Sequence, residues 1–97
     1  VIVYVSIGNS DDRLTQSLWS SYTEQVRTVL RRHSASVHGE WYSAPDAAYQ
    51  NACFCIEIGG RDVPNKALLV KACLEQIRLD FQQDSVAWAE APETVFV

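Results

Sequence analysis

The stretch Val37-His38-Gly39-Glu40-Trp41-Tyr42-Ser43-Ala44, the loop Pro45-Asp46-Ala47-Ala48-Tyr49-Gln50, and the run Asn51-Ala52-Cys53-Phe54-Cys55-Ile56-Glu57-Ile58 decide the architecture. Two segments of strand length flank a loop whose Pro and Asp are turn formers, so the stretch reads as a β-hairpin that Gly59-Gly60 ends. Upstream of it, Trp19, Tyr22, Val26, Val29 and Leu30 recur at helical spacing, while Glu24, Arg27, Arg31 and Arg32 fall mostly off that stripe. Thr15 suits the N-cap, with Leu14 and Trp19 placed to pack across the first turn, so the helix should start near Gln16 and run to about His33. Downstream, after Pro64, the residues Val70, Cys73, Leu74, Ile77 and Phe81 repeat the helical period and predict a second helix fading near Gln82.

Working outward to the ends, Val1 to Ile7 alternates Val1, Val3, Val5 and Ile7 against Ile2, Tyr4 and Ser6, the pattern of a strand with one apolar face. Ser85 to Ala91 supplies a last strand before Pro92, with Thr94 to Val97 as a short extension. The order is then βαββαβ. Right-handed crossovers over an antiparallel sheet of order 4-1-3-2, with two helices on one face, give the ferredoxin-like α+β plait over residues 1–97 as one domain. Such a fold hosts many activities, so function has to come from its surfaces.

If Ala44 faces Asn51, Trp41 meets Phe54 and Gly39 meets Ile56 on the core side of the hairpin. The outer side then carries Tyr42 beside Cys53, Glu40 beside Cys55 and His38 beside Glu57, with Ile2 and Tyr4 added by the first strand. Trp88 joins them if the last strand turns its even positions outward. Ile2, Tyr4, Tyr42, Cys53, Cys55 and Trp88 would leave an apolar patch in water, which predicts a homodimer through that face.

The 97 residues include 8 Lys and Arg against 12 Asp and Glu, a net charge of −4, and 47% are hydrophobic. A chain of this length should bury roughly 60 to 70% of its extended surface, enough for one core. Acidity argues against general nucleic-acid binding. Val3-Tyr4-Val5 and Phe54-Cys55-Ile56-Glu57 resemble the signature strands of RNA-recognition motifs only superficially, because alternation puts Cys53 and Cys55 where base stacking needs aromatics. No apolar run is long enough for a membrane span, and the sequence opens on a strand pattern without a charged leader, so no membrane association is expected. Three cysteines cannot all pair, and Cys53 with Cys55 would be strained as a disulfide within one strand, which fits structural thiols in a reducing cytoplasm. C-x-C lacks the spacing and ligand number of a zinc site, so neither metal nor cofactor is expected.

Topology gathers the first loop, the hairpin and the last connection at one edge, collecting Asn9, Ser10, Asp11, Asp12, Asp46, Gln50, Asn51, Asp80 and Asp84. Asp11 and Asp12 complement the dipole of the helix that follows them; Asp80 and Asp84 oppose the dipole of the second helix. Arg13 and Arg78 are the basic residues set against this rim. It is expected to bind a partner or ligand. Phosphate loops, nucleophile elbows and H-E-x-x-H are absent from the sequence, and only His33 and His38 titrate near neutrality, so no catalytic residue is assigned.

Leu14-Thr15 with Trp19, Gly39-Glu40-Trp41 and Phe81-Gln82-Gln83-Asp84-Ser85-Val86 together resemble a pattern in small uncharacterised bacterial and phage α+β proteins, including a domain-of-unknown-function group. The resemblance implies the same fold and a bacterial or phage origin, and carries no activity over to this chain. The expected role is that of a small acidic regulator or inhibitor binding another protein without catalysis. The alternative is a small-molecule or nucleotide-derivative binder, with weak hydrolytic activity, using the Asn9 to Asp12 loop and the Pro45 to Asn51 hairpin.

Overall fold

Side chains of alternating polarity and two 3.6-residue apolar stripes build the elements in the computed structural model, which describes residues 1–9, 12–93 and 95–97. In chain order these are β1 (Ile2–Gly8), α1 (Gln16–His33), β2 (Ser36–Tyr42), β3 (Asn51–Glu57), α2 (Val63–Asp80) and β4 (Ala87–Ala91). The four strands form an antiparallel sheet of order β2-β3-β1-β4, and both helices cover one face: the ferredoxin-like fold that the element order predicts.

The expected limits of α1 hold. The Thr15 hydroxyl accepts from the Leu18 amide at 3.2 Å, and Leu14 and Trp19 are both buried in the core. Arg31, Arg32 and His33 occupy its last turn, where cations suit the carbonyl end. In α2 the buried stripe is Ala67, Val70, Leu74 and Ile77, with Cys73 half-buried at its margin. Between the layers lie Val3, Val5 and Ile7 from β1, Ala52, Phe54 and Ile56 from β3, Ile58 just beyond it, and the two helical stripes. Thr94 of the expected C-terminal extension lies outside the described residues, and Val95 to Val97 form no strand.

The hairpin register differs from expectation by one residue, and because side chains alternate, that slip exchanges the faces of β2. Ser43 rather than Ala44 closes the pairing: its amide donates to the Asn51 carbonyl at 2.9 Å and its Oγ accepts from the Asn51 amide at 2.9 Å. Trp41 therefore stands opposite Cys53 on the outer face, and Glu40 opposite Phe54 beneath the helices. Tyr42, expected outside, points inward, its ring meeting that of Phe54 edge-on at 6.0 Å. A bulge between Val37 and Gly39 absorbs His38 as an extra residue, so Val37 still packs on the core opposite Ile56.

Trp88 is likewise an inward residue. It pairs in register with Val5, whose side chain is fully buried, and it packs under α2 with the Lys71 ammonium 5.1 Å from its ring centroid. The outward positions of β4 are Ala87, Ala89 and Ala91.

Candidate functional site

Two surfaces emerge from this scaffold: the loop edge and the bare side of the sheet. At the loop edge, β1 ends in Gly8-Asn9, and Asn9 is only 2% exposed. Its side-chain amide donates to the Leu14 carbonyl at 2.9 Å and accepts from the Leu14 amide at 3.1 Å, closing the loop that leads into α1. The Asn9 backbone amide donates to the Gln50 carbonyl at 2.8 Å, and Gln50 in turn donates to Gln16 at 2.8 Å, so the hairpin is strapped to the start of α1. Asn9 and Gln50 are thus braces of this edge.

Two arginines cradle the connection between α2 and β4. Arg78 donates to the carbonyls of Gln83 at 3.0 Å and Asp84 at 3.4 Å, and Arg13 donates to that of Gln82 at 3.4 Å. Arg13 also stands 3.8 Å from the Asp84 carboxylate. Asp80 accepts from Gln76 at 2.9 Å on its own helix, and Asp46 is exposed in the hairpin loop. Asp12 and Gln82 both hold the left-handed backbone conformation, φ 55° and 54°, a placement that costs about 1 kcal/mol or more in a non-glycine residue. Ser10 and Asp11 lie outside the described residues.

Between β1 and this connection opens a cleft of about 350 Å³ lined by Ser6, Gly8, Asn51, Gln83, Asp84 and Ser85 among others. Gly8 keeps it open to Asn51: a Cβ at that position would stand 2.9 Å from the Asn51 side-chain oxygen. Hydroxyl, amide and carboxylate groups meet in this cleft. It offers polar recognition. Among the described residues no group of three or more His, Cys, Asp or Glu stands ready to hold a metal ion.

The other surface is the sheet face that the helices leave uncovered. In register, one row across β2, β3, β1 and β4 reads Trp41, Cys53, Ser6, Ala87; the next reads Gly39, Cys55, Tyr4, Ala89; the last brings Ser36, Glu57, Ile2 and Ala91 together. Trp41 is 58% and Tyr4 45% exposed. Cys53 and Cys55 are half-buried free thiols, and Cys55 beside the Tyr4 phenol pushes the latter's pKa above its ordinary value. Charge appears at the ends of the face: His38 and Glu57 approach to 3.5 Å at one, and Asp84 lines the cleft beside Ser6 and Ala87 at the other.

Of the residues expected on this face, Ile2, Tyr4, Cys53 and Cys55 belong to it, whereas Tyr42 and Trp88 do not. Trp41, which pattern reasoning assigned to the core, takes the place of Tyr42. The displaced inward side of β2 is polar and fully engaged. Glu40 accepts from Arg27 Nε at 3.2 and 3.1 Å, from Arg31 at 3.2 Å and from the Tyr42 hydroxyl at 3.1 Å. Burial holds the Tyr42 phenol above its usual pKa. Two arginines one helical turn apart on α1 were the sequence signal for an inward carboxylate on the neighbouring strand.

Comparison with protein-family models, curated proteins and solved structures finds no match to the chain. No helix among the described residues is long and apolar enough to cross a membrane.

Proposed function

We propose that this domain is a non-catalytic binding module that acts through protein–protein contacts, with the uncovered sheet face as its docking surface. The observation that supports this most directly is the exposure of Trp41 and Tyr4, two strands apart, on a face whose central rows carry no charge, in a chain of net charge −4. Aromatic anchors surrounded by small residues, with charged groups kept to the rim, are the composition of interface cores. The acidic loop edge, where Asp46 and Asp84 remain exposed, is a separate surface suited to a cationic partner.

The test is site-specific photo-crosslinking in the native host with a benzophenone amino acid at position 41, and at position 68 on the exposed side of α2 as reference. Protein-sized adducts from position 41, absent from position 68, are the expected outcome. If neither position yields protein adducts, the reading fails.

The polar cleft at the loop edge favours a second reading, a small polar ligand held by Ser6, Asn51, Asp84 and Ser85. Here a thermal-shift screen decides. A nucleotide derivative or metabolite that raises Tm in the unmodified chain, and loses that effect in Asn51→Ala, would put the cleft ahead of the sheet face.

A further inference from the structure

We propose that the partner seated on the sheet face is a second copy of this chain, stacked face to face about a two-fold axis running parallel to the strands. This rests on the docking role assigned to that face and adds the occupant and its geometry.

The argument begins with the relief of the surface. In the order β2, β3, β1, β4 the outward side chains run large at Trp41, small at Cys53 and Cys55, large at Tyr4, and small at Ala87 and Ala89. Gly39 adds open space beside Cys55, for a Cβ there would meet nothing within 4 Å. A two-fold axis along the strands turns the second sheet over and reverses its strand order, so β2 of one copy lies above β4 of the other, and β3 above β1. Rows are preserved by that operation. Trp41 then seats over the second copy's Ala87, and Tyr4 over its Cys55, a ridge in a trough at each place. A two-fold axis across the strands would keep β2 over β2 and β4 over β4, gathering both Trp41 rings at one margin of the interface and leaving alanine against alanine at the other. The strand-parallel axis also gives the aligned packing that sheets about 10 Å apart adopt.

Charge and area agree with this occupant. Each copy carries −4, but the central rows of the face hold no charge, and the carboxylates that border it are Glu57 beside His38 at one end and Asp84 beside Arg13 at the other. Glu40 on β2 and Glu90 on β4 take inward positions, and most of the other charge lies on the helices and loops, so stacking brings little repulsion. Four strands about 4.8 Å apart, each about 3.3 Å per residue, give a face of roughly 400 Å² in plan. Side-chain relief raises the accessible area above that figure, though not far past the ~800 Å² per partner of a standard interface. The dimer is therefore reversible and concentration-dependent.

Sedimentation velocity of the full chain from about 1 to 500 µM tests it. A monomer–dimer equilibrium is expected, with Trp41→Ala and Ala87→Trp each weakening association at least tenfold. The double variant W41A/A87W exchanges ridge and trough on every copy and should recover much of the lost affinity. A merely sticky face would show no such recovery. In the unmodified chain, alkylation of Cys53 and Cys55 should slow as concentration rises, while that of Cys73 on α2 stays constant; this readout needs no variant. A chain that stays monomeric throughout, or a dimer indifferent to both single substitutions, overturns the proposal. If the chain is monomeric yet position 41 still crosslinks to a different protein, the docking face stands and the second copy is wrong.

Discussion

Arg27 on α1 binds Glu40 on β2 through its Nε, which lies 3.2 and 3.1 Å from the two carboxylate oxygens. This contact ties the outermost strand to the helix layer. The inward side of β2 offers only Val37 and Tyr42 as apolar surface, so an ion pair and a shared phenol do the joining that aliphatic side chains do elsewhere. The Arg27 and Glu40 side chains are 27% and 17% exposed, between the regimes where ion pairs contribute little and where they are costly to break.

Arg27→Met keeps the stem and removes the charge. It should lower stability by about 1 to 2 kcal/mol, softened because Arg31 and Tyr42 still hold Glu40. Hydrogen exchange in β2 should accelerate more than in β1. Equal acceleration in both strands would show that the pair does not act locally.

Asn9 closes two buried backbone groups of Leu14 at once. Asn9→Ala leaves that amide and carbonyl unsatisfied and should cost about 2 to 3 kcal/mol, measured by denaturant melts with an unchanged m-value. A loss under 0.5 kcal/mol would mean that water replaces the side chain without penalty.

The Tyr22 hydroxyl is buried and has no hydrogen-bond partner among the described residues, while its ring stacks on Phe81 with centroids 5.1 Å apart. Burial pushes its pKa up to about 12, against 10.0 when unperturbed. The unfolded chain therefore loses this proton first as pH rises. The stability linked to it is fully present below pH 10 and falls as pH approaches 12. Tyr22→Phe should remove that alkaline decline and, at pH 7, raise stability by up to about 1 kcal/mol, because an unpaired buried hydroxyl disappears. Thermal melts of both proteins between pH 8 and 11.5 check the sign. Parallel curves would place the alkaline loss on other groups.

The periodic elements were legible because their signals are redundant: the cap at Thr15, the staple residues Leu14 and Trp19, and the apolar stripe all point to the same start for α1. The outer-face residues of β1 and β3 were legible for a similar reason, since Val3, Val5, Phe54 and Ile56 leave no choice of face. The hairpin register was not. Trp41 is more apolar than Glu40, so hydropathy alone sends it inward, and what overrules that preference is a loop closure at Ser43 and a carboxylate satisfied by two arginines from another element. Trp88 illustrates the same limit, for in Ala-Trp-Ala-Glu-Ala either parity gives an acceptable strand until Val5 fixes the partner. The cleft was beyond pattern reading, as it depends on where the Gln82 to Ser85 connection is held by Arg13 and Arg78.

His38, the extra residue in β2, has a consequence for colloidal behaviour. β2 is an outermost strand with one row of backbone donors and acceptors directed away from the sheet. A regular row would be a template for strand addition, end after end, into ordered aggregates. The bulge at Val37/Gly39 breaks the spacing of that row and twists it, so an incoming strand finds no continuous ladder. Without His38, β2 would alternate regularly from Ser36 to Tyr42 and keep every side chain on its present face. Deleting His38 should therefore exchange a protected margin for one open to strand addition between molecules.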